Sequence, residues 1–223
     1  MRWGEKRKNG MSGKVIQDVS GVVLAGGKSK RMGRDKRHLS VHGKPLLDRV
    51  TSVLLELFPE VLLVLAEEDI SRQDDRIRIV TDLIPDCAAV GGLYTGLYHS
   101  RCPRVFVVAC DMPFINPAVI KLFLQKTDAT DIVVAQLVTG LQPLHGLYSK
   151  RCLPILKDMI DDRDFRLQNI AGKPGLTVHR VLETEITRLD SQLVSFLNLN
   201  SPADLELANK IIVPMHGECI EWP

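Results

Sequence analysis

Aromatic residues are scarce in this 223-residue chain, at 5% of positions. No apolar run approaches the ~18 residues that a membrane-spanning helix needs. The first absence argues against a basic face interleaved with stacking rings, the usual surface of a nucleic-acid-binding protein. The second argues against an integral membrane protein. Neither sign of charge dominates: 29 Lys and Arg against 27 Asp and Glu leave a net charge of +2. That is too little to mark nucleic acid or anionic membrane as the main partner. Cysteine is used sparingly, at Cys87, Cys102, Cys110, Cys152 and Cys219, an odd number with no CxxC pair. A disulfide framework and a thiolate zinc site are both disfavoured, and a reducing cytosol suits the pattern. These thiols read as small buried apolar groups. The charged start, MRWGEKRKNGMSGKVIQDVS, lacks the apolar stretch of a secretory signal. It reads as a disordered lead-in over residues 1–18, followed by a single domain over 19–212 and a tail over 213–223.

What the chain does have is an alternation of two periodicities. VSGVVLA (19–25), VLLVLA (61–66), RVFVVAC (104–110) and TDIVVA (130–135) are short, largely β-branched runs, as expected of buried strands. RIRIV (76–80) alternates and reads as a more exposed strand. Between them Leu46, Leu47, Val50, Val53, Leu54 and Leu57 recur at helical spacing behind Pro45. GGLYTGLYHS reads as a glycine-rich helix, and DMPFINPAVIKLFLQK as a turn entering an amphipathic one. Farther on, helices are expected near 150–160 and 165–171. VSFLNLNSPADLELANKII reads as a short strand and a helix, with Ser201 as N-cap, Asp204 three residues later and Pro202 at the first helical position. Unbroken apolar strands alternating with helices imply an α/β fold of three layers with a mostly parallel central sheet. Right-handed crossovers then set the strands' carboxyl ends on one edge, where such sheets bind ligands. The glycine turn after Ala25 and the acidic turn after Cys110 are expected to meet there.

The glycine turn opens onto a burst of charge. Six basic residues, Lys28, Lys30, Arg31, Arg34, Lys36 and Arg37, stand against Asp35 alone. GGKS carries the tail of a P-loop, but that motif needs glycine at position 22, which is Val22. Gly26, Gly27 and Gly33 also miss the spacing of a dinucleotide fingerprint. The loop still has the parts of an anion site. Gly26 and Gly27 can present N–H groups with no Cβ in the way, and Arg31 and Lys36 can reach over them. Asp111, at the end of an apolar strand, suits Mg²⁺, which takes oxygen ligands and commonly only one or two protein carboxylates. An Asp-x-Pro turn can equally cap backbone. His38, His42, His99, His145 and His179 are scattered without metal-ligand spacing.

LAGGKSKRMGRDK, Leu24 to Lys36, resembles the signature of the molybdenum cofactor guanylyltransferases, within the nucleotidyltransferases of the pyrophosphorylase type. GGLYTGLYHS, VVACDMPF, QPLHGLY and FLNLNSPADL resemble further motifs of that family in the same order, so the likeness runs from about Val19 to Lys210. It departs from the family at Ala88–Gly92, where Gly-Pro-Leu-Ala-Gly is common, and at Leu65, where some members carry asparagine.

The resemblance implies a Rossmann-like nucleotidyltransferase fold and transfer of GMP from GTP to molybdopterin, with Mg²⁺, in the cytoplasm. It implies that Leu24, Ala25, Gly26 and Gly27 line GTP, and that Arg31 and Lys36 neutralise the departing pyrophosphate. It assigns the metal to Asp111, the guanine donors to Asp82, and the pterin side to Asn198 and Asn200. Its partners are GTP and molybdopterin, with cofactor-insertion proteins or molybdoenzyme chaperones beyond them, and neither nucleic acid nor membrane. Two rivals stay open on the residues: the same chemistry with another base or acceptor, such as cytidylyl transfer to the same cofactor, and a non-catalytic nucleotide-binding regulator of the same fold. Asp82 and the two asparagines also suit ordinary turns.

Overall fold

The computed structural model describes residues 16–26, 39–67 and 75–211. A central sheet of seven strands runs in the order β5-β4-β1-β6-β8-β7-β9. These are β1 (Val19–Leu24), β4 (Val61–Leu65), β5 (Ile77–Thr81), β6 (Arg104–Ala109), β7 (Ile132–Leu137), β8 (Gly140–Ser149) and β9 (Val178–Leu182). A separate hairpin pairs β2 (Ser40–Val41) with β3 (Lys44–Pro45). Strands β1, β4 and β6 form the buried centre, which explains their largely apolar sequences.

Among the described residues six α-helices complete the fold: α1 (Leu46–Leu57), α2 (Ala88–His99), α3 (Pro117–Leu124), α4 (Cys152–Asp161), α5 (Glu183–Ile186) and α6 (Pro202–Ala208). On one sheet face α1 and α3 bury Leu47, Val50, Leu54, Val119, Ile120 and Phe123 against Val23, Leu63, Phe106 and Val108. On the other, α2 and α4 bury Val90, Leu93, Leu97, Leu156 and Met159 against Val22, Leu62, Val64 and Val107. The expected three layers are therefore present. Among the described residues no helix is long and apolar enough to cross a membrane.

The topology sets where a ligand binds. The connection through α1 carries the chain from β1 outward to β4, on one face. The connection through α2 returns it from β5 to β6, on the opposite face. Strand order therefore reverses between β1 and β6, whose carboxyl ends flank the switch-point crevice.

Three expectations are corrected. β8 runs antiparallel to both β6 and β7, so its amino end lies at the edge where the other strands end. Its apolar pattern encodes burial and not direction. The helix expected over 165–171 is a 3₁₀ helix over Leu167–Gly172. Val194–Phe196, expected as a strand, is a 3₁₀ turn. Its cause is local: Leu193 sits in the left-handed region at φ 55°, and the Asp190 carboxylate accepts from the N–H groups of Val194 (3.1 Å) and Ser195 (2.8 Å). The Ser201 capping box with Asp204 is present as read, with Pro202 behind it. Cys87, Cys102, Cys110 and Cys152 are buried and unbridged. The expected extension lies mostly outside the described residues, but within it Ile16 packs on the core and donates its N–H to the Leu57 carbonyl at 3.0 Å. The tail over 213–223 and Cys219 also lie outside them.

Candidate active site

The two turns expected to meet at the sheet edge do so. As β1 ends, the Leu24 carbonyl accepts from the N–H of Cys110 at 3.0 Å, and the N–H of Ala25 donates to Val64 at 2.9 Å. Two residues past β1, Gly26 is exposed. A Cβ on Gly26 would stand 2.9 Å from the backbone nitrogen of Ala66, so the backbone there hugs the end of β4 in a way that only glycine allows. Of the other loop candidates, Gly27, Arg31 and Lys36 lie outside the described residues.

Asp111 follows β6 at the opposite lip of the crevice and is partly buried. Its backbone carbonyl accepts from the N–H of Leu199 at 2.9 Å. That bond draws the closing motif onto the β6–α3 connection, and the neighbours of Leu199, Asn198 and Asn200, stand exposed beside it. Leu199 is fully buried with Val41, Leu46, Phe114, Val194 and Ala208, which pins the motif from beneath. Asn116 ties the same two segments a second time. Its side-chain oxygen caps α3 through the N–H of Ala118 (2.8 Å), and its Nδ2 donates to the Leu189 carbonyl at 3.1 Å.

The exit of the basic loop joins this cluster. In the β2–β3 hairpin, the N–H of His42 donates to Asn209 Oδ1 at 2.9 Å, so α6 is fastened to the segment that follows residues 27–38. The Arg49 guanidinium lies over the Phe114 ring, 5.5 Å from its centroid, and donates to the carbonyls of Pro113 and Val41 at 3.4 Å. Burial pulls its pKa below the ordinary arginine value. Arg49, Asn116 and Asp190 were not among the sequence candidates. Asn116-Pro117 carries a helix-start signal, whereas Arg49 sits inside an unremarkable helical stretch.

Asp82 lies at the end of β5, two strands from β1 and so about 10 Å across the sheet. Its N–H donates to the Leu65 carbonyl at 2.8 Å. Its Oδ1 accepts from the Thr95 hydroxyl at 2.7 Å and from the N–H of Ile84 at 3.4 Å, while Thr95 in turn accepts from the N–H of Leu83. A Cβ on Gly91 would lie 2.9 Å from the Ile84 carbonyl and 3.4 Å from Asp82 Oδ2, and one on Gly92 would press on Leu24. The α2 glycines thus let the helix close on both Asp82 and the end of β1. At the start of the segment that departs from the family, Asp86 ahead of α2 and Ala88 at its first residue take positive φ values of 63° and 50°. Burial, then the carboxylates of Asp82 and Asp86, push the Cys87 thiol pKa up, so it stays protonated and serves as packing.

A glycine after β1 and an aspartate after β6 flank the switch point of a mostly parallel sheet, the place where α/β enzymes of the nucleotide-handling class bind their ligands. The comparisons with known proteins narrow that class. Residues 21–173 match the model of the MobA-like NTP transferase domain. A Pelotomaculum thermopropionicum protein named "probable molybdenum cofactor guanylyltransferase" is 34% identical over 84% of this chain and 90% of its own length. The molybdenum cofactor guanylyltransferase of Desulfosudis oleivorans is 30% identical over 87% of this chain and 96% of its own. In fold the chain is similar to the crystal structure of molybdopterin-guanine dinucleotide biosynthesis protein A from Archaeoglobus fulgidus, with a TM-score of 0.75 at 23% identity over 85% and 96% of the two chains. The chain belongs to the MobA-like NTP transferase family.

Proposed function

We propose that this chain transfers GMP from GTP to the terminal phosphate of molybdopterin, forming molybdopterin guanine dinucleotide and releasing pyrophosphate. The observation that carries the reading is the meeting of the Gly26 turn, Asp111 and the Asn198–Asn200 motif at the switch point between β1 and β6. The relatives named molybdenum cofactor guanylyltransferase, matched over most of their length, support the same reaction.

In this reading the acceptor phosphate attacks the α-phosphorus of GTP opposite the leaving pyrophosphate, with no covalent enzyme intermediate. The protein contributes alignment and charge stabilisation. The backbone of Leu24, Ala25, Gly26 and Gly27 lines the nucleotide, and Arg31 and Lys36 stabilise charge developing on pyrophosphate. Asp82 has Oδ1 committed to Thr95, so Oδ2 is the oxygen that faces the N1–H and N2–H₂ donors of guanine. Asn198 and Asn200 offer the mixed donors and acceptors that a pterin edge requires.

Asp111 is assigned to Mg²⁺. A carboxylate supplies the hard oxygen that Mg²⁺ takes, and such an ion commonly uses one or two protein carboxylates with phosphate oxygens completing its shell. When bound, such an ion neutralises charge on the α-phosphate and the leaving pyrophosphate. The cytoplasm, where molybdopterin and GTP are both at hand, is the proposed compartment.

The test supplies folded protein with molybdopterin, Mg²⁺ and either GTP or CTP, and measures pyrophosphate. Release with GTP and not CTP is expected. Release with CTP alone would overturn the guanylyl assignment, and release with neither would favour a binding module.

A further inference from the structure

The buried carboxylate of Asp190 belongs to none of the roles above. Its residue is 2% exposed, yet the hydrogen bonds that satisfy it come from the backbone N–H groups of Val194 and Ser195, at 3.1 and 2.8 Å. A carboxylate removed from water is costly unless its oxygens accept strong hydrogen bonds, and bonds to a charged acceptor are the stronger kind. Here they bend the chain into the Val194–Phe196 turn against the left-handed strain at Leu193 (φ 55°).

What the turn carries gives that arrangement a purpose. On one side Phe196 wedges into the core, its ring centroid 4.7 Å from that of His145. On the other side the chain runs through Leu197 to Asn198, Leu199 and Asn200, and Leu199 bonds to Asp111. Upstream, the Leu189 carbonyl is held by Asn116. Asp111 and Asn116 both lie on the connection between β6 and α3, so the segment from Leu189 to Leu199 is laced across that connection at two ends. Asp190 fixes its bend in the middle. Were the bend released, the Leu189 and Leu199 anchors would remain while the path of the chain entering Asn198 became free to vary.

We infer that Asp190 is a positioning residue for the acceptor: it sets the turn that presents Asn198 and Asn200 beside Asp111. The inference rests on the guanylyltransferase reading, in which those asparagines meet the pterin-bearing substrate. Asp190→Asn retains size but gives one of the two N–H groups a donor to face. The expected result is a KM for molybdopterin raised tenfold or more, with the KM for GTP within twofold of the parent and an unchanged circular dichroism spectrum. A variant that only loosens the fold would lower thermal stability and leave the ratio of the two KM values unmoved, and that result overturns the inference.

Two further variants separate its failure from that of the underlying reading. Asn198→Ala combined with Asn200→Ala is expected to raise the acceptor KM by itself, and Asp190→Asn added to that pair should raise it no further. Independent multiplication of the effects would show that Asp190 does not act through the two asparagines. An unchanged acceptor KM in the doubly substituted protein would sink the assignment of the asparagines, and the inference with it. Should the amide variant fail to fold, Asp190→Glu keeps the charge but displaces it by one methylene. The same acceptor-only rise is expected there, and equal KM values for parent and variant would contradict the role.

Discussion

The most quantitative consequence of the fold concerns a residue away from the reacting groups. His145, in β8, is fully buried, with Phe106, Phe123 and Phe196 around its ring at centroid distances of 5.2, 5.5 and 4.7 Å. Among the described residues neither ring nitrogen has a hydrogen-bond partner. Burial drops its pKa from 6.5 to about 3. Above pH 6.5 the imidazole is neutral in folded and unfolded chains alike, so it adds no pH dependence. Below that value the unfolded chain takes up a proton that the folded one refuses, and stability falls until the pH reaches about 3. Linkage puts the loss between pH 7.5 and pH 5 at about 2 kcal/mol. His145→Leu removes the titration and keeps an apolar group of similar bulk on the same backbone. Urea unfolding of parent and variant at the two pH values cancels every other titrating group. The variant should lose about 2 kcal/mol of the parent's pH dependence. At pH 7.5 it should also equal or exceed the parent in stability, because two unsatisfied polar atoms are gone. Identical pH dependence in the two proteins would refute the reasoning and imply a solvated ring.

Two substitutions test the site itself. Gly26→Ala places a methyl group 2.9 Å from the Ala66 nitrogen, so one strand end must shift. A loss of about 1–3 kcal/mol in urea unfolding and a raised KM for GTP are expected, and a silent substitution would show that the tight turn is not required. Asp111→Asn preserves the backbone carbonyl that accepts from Leu199, so the fold should survive intact. Turnover should fall a hundredfold or more, about 3 kcal/mol or more of transition-state stabilisation, and near-parental turnover would remove the metal role.

Much of this architecture can be read from the residues alone, for physical reasons that vary along the chain. VSGVVL, VLLVL and RVFVVA are largely apolar on both faces because helices cover both sides of the central strands, and that pattern is visible without coordinates. The Ser201–Asp204 box is local, four residues long, and equally visible. Direction is another matter. GLQPLHGLYS mixes glycine, proline and polar residues with its leucines, so no strand period marks it, and only its pairing with Arg104–Val107 reveals that it runs against its neighbours.

The same distinction divides the site. Gly26 and Asp111 each end an apolar strand, so their meeting follows from parallel topology. The Val194–Phe196 turn looked like a strand because VSF is β-branched and aromatic. The carboxylate that bends it sits four and five residues upstream, outside the usual capping distance. The bond between Asp82 and Thr95 spans thirteen positions and the Asn116–Leu189 bond seventy-three, so no local pattern announces either one.

The central claim is that GMP moves from GTP onto molybdopterin across the crevice between β1 and β6. Its most direct measurement uses GTP labelled at the α-phosphorus, incubated with molybdopterin, Mg²⁺ and the protein. The label should appear in a product that carries both pterin and guanine, at one equivalent per pyrophosphate released. Label remaining wholly in free guanine nucleotide, from folded protein with intact molybdopterin, would contradict the account.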